Sequence, residues 1–255
     1  MNWRKLTLIA CMGGSCITLS TCAVNVSSGE FAKPKLSIAQ LSVKKLYSST
    51  QAITVKVMSR DVLGSGIMLR KEGDLYTVLT NAHVLRSDNP PYRIQTSDRH
   101  IWSAKVLQNI RFGQNDLALL QFRTSGIVYS VASFGSEPTV GDEVFAGGFP
   151  ATEEGTQKKG FAFTTGKISL VLDKALEGGY QFGYTNDIQK GMSGGPLLNR
   201  RGEVVGVNGM HAYPLWDAPS MYADGSQADV TLHKKITRLS WAVPINTVIQ
   251  RKEIK

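Results

Sequence analysis

Cysteine is nearly absent from this sequence. Its three cysteines, Cys11, Cys16 and Cys22, all lie near the amino terminus, and residues 23–255 contain none. The greater part of the chain therefore has no disulfide framework, no thiolate metal site and no cysteine nucleophile. His-Glu-x-x-His motifs and calcium-binding Asp/Asn loops are also missing, so we expect neither a metal ion nor another cofactor.

Long apolar runs are scarce, because only residues 6–19 form one. Arg4 and Lys5 precede this run, and the small residues 21–23 follow it. This order is typical of a secretory signal peptide, predicted here as residues 1–23, and it indicates a periplasmic or secreted protein. The run is short for a membrane span, so no stable membrane insertion is expected after cleavage. Retention of the segment as an anchor remains an open alternative.

Acidic residues are in the minority, and the formal net charge is +9. Loss of Arg4 and Lys5 with the signal would lower it to about +7, a balance that favours anionic surfaces. The basic residues do not cluster among aromatic ones, however, so the sequence does not predict nucleic-acid binding.

Helical periodicity is rare until the last residues, where Pro244 is expected to open a short C-terminal helix. Residues 24–44 are aperiodic and are interpreted as an arm or linker. The rest indicates an all-β fold of many short strands, either barrels or a sandwich. Turn residues at 71–74 and 199–202 predict two hairpins. The strands are expected at 51–59, 67–70, 75–80, 101–106, 116–122, 143–146, 161–165, 168–172, 180–185, 197–198 and 204–207.

A glycine-rich loop surrounds Ser193 in Gly-Met-Ser-Gly-Gly-Pro, residues 191–196. Glycines allow tight turns with positive φ and a close approach of the backbone to a ligand. Such a loop projects the serine hydroxyl into a cleft, and the amides of Gly191 and Ser193 are the expected donors to an oxyanion. A glycine-rich β-turn without a catalytic role is the alternative.

A nucleophilic serine needs a base and a group that orients the base. His83 lies where the apolar strand 75–80 gives way to a turn, and is the candidate base. Asp116 opens an apolar strand, where a partly buried carboxylate needs a partner such as a histidine N–H. Taken alone, His83 could be a core residue and Asp116 could face solvent. The remaining histidines lie in polar or loop-like contexts: His100, His211 and His233.

Three segments follow one another in the order His, Asp, Ser, namely 80–83, 115–120 and 191–196. Together they resemble the three signatures of trypsin-like serine peptidases. Gly64-Ser65-Gly66 is similar to the Gly-Ser-Gly strand of that family, and residues 202–207 resemble the segment after the nucleophile in bacterial HtrA-type members. The resemblance covers about residues 45–250.

The resemblance implies an all-β fold of two packed six-stranded antiparallel β-barrels, at 45–130 and at 131–255 with the C-terminal helix. It also implies peptide-bond hydrolysis through an acyl-enzyme. Ser193 would attack, His83 would transfer the proton and Asp116 would orient His83. Protein or peptide substrates follow, while the oligomeric state is left open. A catalytically silent binding protein on the same fold is the alternative.

Met192 departs from the digestive branch, which has an aspartate before the nucleophile, so the zymogen switch of those enzymes is not expected. No PDZ domain like that of HtrA-type proteins is expected in this sequence. By the resemblance, Asp187 would form the floor of the substrate pocket and select Lys or Arg. Asn208 and Gly209 would form the opposite wall. The long stretch 210–238 is interpreted as a loop.

Overall fold

The computed structural model of this chain describes residues 40–59, 62–86, 88–151, 160–212 and 221–251. The signal peptide predicted at 1–23 and most of the arm predicted at 24–44 lie outside these residues. Within the described residues, twelve strands form two closed six-stranded barrels, and every strand pair is antiparallel. The predicted fold class is therefore confirmed.

The first barrel has the strand order β1-β2-β3-β6-β5-β4, and the second has β10-β11-β12-β9-β8-β7. The strands of the first barrel are β1 Thr54–Met58, β2 Val62–Glu72, β3 Leu75–Thr80, β4 Tyr92–Gln95, β5 Ile101–Val106 and β6 Ala118–Arg123. Those of the second are β7 Glu143–Gly148, β8 Ala162–Val171, β9 Phe182–Tyr184, β10 Pro196–Leu198, β11 Val204–Met210 and β12 Ser240–Pro244. The helices are α1 Val43–Ile53, α2 Ala82–Arg86, α3 Val230–Ile236 and α4 Asn246–Ile249.

Each barrel has its own apolar interior, and another cluster joins the two barrels. Val55, Tyr76 and Phe122 are buried in the first barrel, and Ala146 and Phe182 are buried in the second. The joining cluster combines side chains of both barrels, including Leu69, Leu79, Leu119, Val207, Trp241 and Val243. Because apolar burial stabilises this contact as it does a domain core, groups on opposite sides of the cleft are held in a fixed relation.

The amino-terminal part of the described chain corrects one prediction. Residues 51–53 end helix α1 and are not the start of the strand predicted at 51–59. Ser42 caps the helix by accepting a hydrogen bond from the Lys45 N–H. Leu46, Thr50 and Ile53 are buried along one face, and this helical spacing outweighs the strand-like alternation from Ile53 onward.

Further along the chain, the strands predicted at 161–165 and 168–172 are one strand, β8. The predicted break fell at Gly166 and Lys167, which lie inside β8 and pair with β7, because a glycine within a strand resembles a turn residue in sequence. The predicted loop 210–238 contains helix α3. Pro244 ends β12 and does not open a helix, so the short C-terminal helix begins at Asn246.

The helices among the described residues are all too short or too polar to cross a lipid bilayer.

Candidate active site

His83 and Asp116 meet at one end of the first barrel. His83 lies in α2, directly after β3, and Asp116 lies just before β6, which pairs with β3. The His83 backbone N–H donates to Asp116 Oδ1 at 2.8 Å, and His83 Nδ1 lies 2.5 Å from Asp116 Oδ2. The pairing of adjacent strands thus places the two side chains that the sequence analysis selected in direct contact.

Asp116 is also held on its other sides. The Asn81 side-chain amide donates to the Asp116 backbone carbonyl at 2.8 Å. From the second barrel, the Tyr180 hydroxyl donates to Asp116 Oδ2 at 2.6 Å, and the Gly178 carbonyl accepts from the Asp116 N–H at 2.8 Å. Arg86 Nη2 lies 3.6 Å from Asp116 Oδ1, although the Arg86 side chain is largely exposed. The carboxylate is therefore fixed by both barrels.

These contacts set the ionisation of the aspartate. Asp116 is only 8% exposed, and burial by itself would raise the pKa of its carboxyl group. Hydrogen bonds and charge from His83, with the hydrogen bond from Tyr180, outweigh that effect and lower the pKa below its ordinary value. The carboxylate is thus ionised at neutral pH.

Ser193 lies in a loop of the second barrel whose conformation depends on glycine. Gly191 and Gly194 have φ angles of +92° and +84°. A Cβ at Gly195 would lie 2.1 Å from the Gly147 carbonyl oxygen, so a larger residue does not fit. Met192 is fully buried in the barrel core and anchors the loop beside the serine.

Ser65 of β2 ties this loop to the first barrel. Its N–H donates to the Ser193 carbonyl at 2.8 Å, and its hydroxyl donates to the Gly191 carbonyl at 2.8 Å. The hydroxyl also accepts from the Phe149 N–H at 2.8 Å. Thr80, three residues before His83, donates to the Ser65 carbonyl at 2.7 Å. Ser65 thereby connects the serine loop with the segment that carries the histidine.

Two amides of the Ser193 loop, those of Gly191 and Ser193, are the predicted donors to an oxyanion. The Lys190 carbonyl accepts from the Ala151 N–H at 2.7 Å, and the N–H on the opposite side of a trans peptide, that of Gly191, points away from Ala151. Among the described residues, neither the Gly191 N–H nor the Ser193 N–H has a protein acceptor. The Ser193 hydroxyl is partly buried and donates to the Gly209 carbonyl at 3.2 Å.

The predicted pocket residues lie in three different settings. Asp187 is exposed, with its carboxylate 3.4 Å from the Gln189 side-chain amide, so it does not form an enclosed pocket floor. The Asn208 side chain is completely buried inside the second barrel. There it accepts from the Tyr184 hydroxyl and donates to backbone carbonyls, so it forms no pocket wall. Gly209 alone lies beside Ser193.

The family model of the trypsin-like peptidase domain matches residues 64–207, which is more than half of the chain. The chain belongs to the trypsin-like peptidase domain family. Its relatives are of the HtrA type, as the resemblance indicated.

Three bacterial proteins illustrate this similarity. The chain is 34% identical over 148 residues to the periplasmic pH-dependent serine endoprotease DegQ of Escherichia coli, covering 57% of this chain and 30% of DegQ. It is 31% identical over 163 residues to the putative serine protease HhoA of Synechocystis, covering 57% of this chain and 36% of HhoA. It is 31% identical over 157 residues to the serine protease Do-like HtrA of Bacillus subtilis, covering 58% of this chain and 33% of that protein. The chain spans about a third of the length of each.

The sequence analysis missed two groups that contact the site. Tyr180 is a single tyrosine after two glycines and belongs to no motif, so nothing in the sequence pointed to it. The Ser65 hydroxyl lies within the Gly-Ser-Gly segment, but the alternation of β2 does not reveal that this side chain crosses to the other barrel.

Proposed function

We propose that this protein is an exported serine endopeptidase that cleaves peptide bonds through an acyl-enzyme on Ser193. The observation that carries the proposal is the buried Asp116 carboxylate, which holds His83 Nδ1 at 2.5 Å next to the strands that bind the Ser193 loop. An ionised carboxylate in this position keeps the histidine proton on Nδ1. The other ring nitrogen, Nε2, is then the one that can accept the proton of a serine hydroxyl.

In the first step, Ser193 Oγ attacks the carbonyl carbon of the scissile peptide bond while His83 Nε2 takes its proton. The Gly191 and Ser193 N–H groups donate to the oxyanion that forms, and their lack of an acceptor among the residues that the structure describes supports this role. His83 then passes the proton to the leaving amine, and the acyl-enzyme remains. In the second step, water attacks the ester with His83 again as base, and Ser193 is released.

The Ser193 hydroxyl must leave the Gly209 carbonyl to attack. That contact is 3.2 Å long, at the weak end of O–H···O hydrogen bonds, and a rotation of the serine side chain exchanges it for His83. Gly209 therefore remains the one predicted pocket residue that we place at the substrate site. Because the Asp187 carboxylate is exposed, selection of Lys or Arg by a buried charge is not part of the proposal.

Export to the periplasm or the exterior is proposed from the predicted signal peptide, and the periplasmic DegQ supports it by its name. The proposed substrates are proteins or peptides, as the names of the protease relatives suggest. A serine peptidase of this kind uses no cofactor.

Reaction with a fluorophosphonate probe tests the proposal, because such probes label only an activated serine. We expect stoichiometric labelling of the wild-type protein, none in Ser193→Ala, and unchanged labelling in Ser240→Ala, which alters a buried serine elsewhere in the second barrel. Folded wild-type protein that takes up no probe would instead indicate the silent binding protein. Cleavage of a peptide library by the unlabelled wild-type protein would then define the bonds it hydrolyses.

A further inference from the structure

Tyr180 brings a hydroxyl from the second barrel to the carboxylate of the first. It lies just before β9, is 7% exposed, and donates to Asp116 Oδ2 at 2.6 Å. The same oxygen also forms the hydrogen bond with His83 Nδ1. Of the two carboxylate oxygens, Oδ2 is thus shared between the histidine and the tyrosine, whereas Oδ1 accepts the His83 backbone N–H.

A turn built for this contact carries Tyr180. Gly178 and Gly179 have φ angles of +81° and +82°, a conformation that side chains disfavour. The Leu176 N–H donates to the Tyr180 carbonyl at 2.8 Å and closes the turn, while the Gly178 carbonyl accepts from the Asp116 N–H. The backbone of the turn therefore binds the aspartate directly, and the position of the tyrosine ring follows from it.

Gly209 leaves room for the tyrosine. A Cβ at residue 209 would lie 2.3 Å from Tyr180 Cε1 and 2.5 Å from its hydroxyl oxygen. Gly209 has no left-handed φ angle, so space and not backbone conformation requires glycine here. The tyrosine hydroxyl occupies the volume that a side chain at residue 209 would fill, next to the carbonyl that accepts from Ser193.

The ionisation of Tyr180 suits a permanent donor. Burial, and then the negative charge of Asp116, raise the pKa of the Tyr180 hydroxyl well above its ordinary value. The phenol therefore keeps its proton at neutral pH, and it faces the carboxylate as a donor.

We propose that Tyr180 is a positioning residue that fixes the Asp116 carboxylate for its bond to His83, and that Gly209 is small so that the tyrosine can reach it. This inference rests on the proposed function, since it assigns Asp116 the role of orienting His83. Without the hydroxyl, Asp116 Oδ2 loses one of its two donors and the carboxylate can rotate away from the imidazole. Tyr180 does not contact the reacting atoms, so its effect passes through Asp116.

Tyr180→Phe removes the hydroxyl and keeps the ring. Tyr184→Phe is the matched control, because Tyr184 is also a buried tyrosine of the second barrel, but its hydroxyl donates to Asn208 Oδ1 at 2.8 Å. We expect kcat on a peptide substrate to fall roughly tenfold in Tyr180→Phe with KM unchanged, because a hydrogen bond to a charged group is lost. In Tyr184→Phe kcat should stay at the wild-type value. Equal losses of kcat in both variants would overturn the proposal.

A double-mutant cycle tests whether the effect passes through Asp116. In an Asp116→Asn background, Tyr180→Phe should change the rate of fluorophosphonate labelling less than twofold. A further tenfold loss there would show that Tyr180 acts on general structure, and would contradict the proposal.

Proton NMR provides a readout that does not depend on catalysis, so it separates this inference from the proposed function. The proton between His83 Nδ1 and Asp116 should resonate further upfield in Tyr180→Phe, because a carboxylate that the tyrosine no longer holds forms a weaker hydrogen bond to His83. It should not move in Tyr184→Phe. If the wild-type protein proves inactive, this shift still decides the role of Tyr180, and an unchanged resonance in both variants overturns it.

Gly209→Ala is a second variant that keeps the hydroxyl but displaces it by steric contact. It should reproduce the upfield shift and the loss of kcat expected in Tyr180→Phe. A wild-type resonance in Gly209→Ala, with the protein folded, would contradict the link between the two residues.

Discussion

The two barrels contribute to the candidate site in different ways. The first barrel supplies charged and polar side chains, His83 and Asp116, whose positions depend on specific side-chain hydrogen bonds. The second supplies Ser193 on a loop whose shape depends on glycine backbone geometry and on the buried Met192. In the first barrel, replacing a polar side chain should therefore disturb the chemistry of the site. In the second barrel, adding a Cβ to a glycine should disturb the shape of the Ser193 loop.

The largest expected effect is on the first-barrel side. Asp116→Asn keeps the shape of the side chain but stabilises the wrong histidine tautomer, so kcat should fall about 10³–10⁴-fold. Steady-state kinetics and near-ultraviolet circular dichroism would measure activity and folding. Asp98→Asn is a matched control, because Asp98 and His100 form a second Asp–His pair on this barrel, with Oδ2 and Nδ1 at 2.9 Å. A comparable loss of kcat in Asp98→Asn would show that the first barrel responds to any lost ion pair.

A backbone change should affect the second barrel more broadly. Gly191→Ala adds a Cβ at a φ of +92°, 2.4 Å from the Ala151 backbone nitrogen. We expect the free energy of unfolding to fall by about 3 kcal/mol from the combined backbone and steric strain, with loss of activity. Gly141→Ala has a similar φ of +96° with open space around it, so it should cost only about 1 kcal/mol. Urea unfolding of both variants measures this difference. Similar losses of unfolding free energy would show that the contact of the added Cβ with Ala151 costs nothing.

The link between the barrels should respond at an intermediate level. Ser65→Ala leaves the Gly191 carbonyl and the Phe149 N–H without their hydroxyl partner, so we expect a loss of about 2 kcal/mol. Because the amides proposed to bind the oxyanion belong to the same loop, kcat should also fall about tenfold. Ser240→Ala removes one buried hydrogen bond, to the Asn186 carbonyl at 2.9 Å, and should lower stability without lowering kcat. Wild-type kcat in Ser65→Ala would show that the loop holds its shape unaided.

The smallest effect concerns acid stability. Because the pKa of Asp116 is lowered in the folded protein, ionised Asp116 adds stability above its ordinary pKa of about 4, and this is lost as the pH falls through the folded value. The difference in unfolding free energy between wild type and Asp116→Asn should therefore be constant near neutral pH and shrink below about pH 4. Urea unfolding at a series of pH values measures it. A difference that grows on acidification would contradict the lowered pKa.

Much of the fold could be predicted because local patterns carried it. The hairpin at 71–74 and strand β5 lie where turn residues and alternation indicated them. Helix α1 was missed because Leu46, Thr50 and Ile53 repeat at helical spacing only over a few turns, and the last of them also fits the alternation of β1. Pro244 was taken for a helix start, since a proline at the end of a strand and at the start of a helix look alike in sequence.

For the site, the sequence determined which residue types are available and in what order. His83, Asp116 and Ser193 were selected from their motifs, and the glycines around Ser193 already required an unusual backbone. Their assignment as catalytic residues stays a prediction until the probe experiments are done. The tertiary structure alone decided the partners that cross between barrels, Tyr180 and Ser65. Such contacts arise from the packing of segments 64 residues or more apart in the chain, and no local pattern of hydrophobicity or turn residues records that packing.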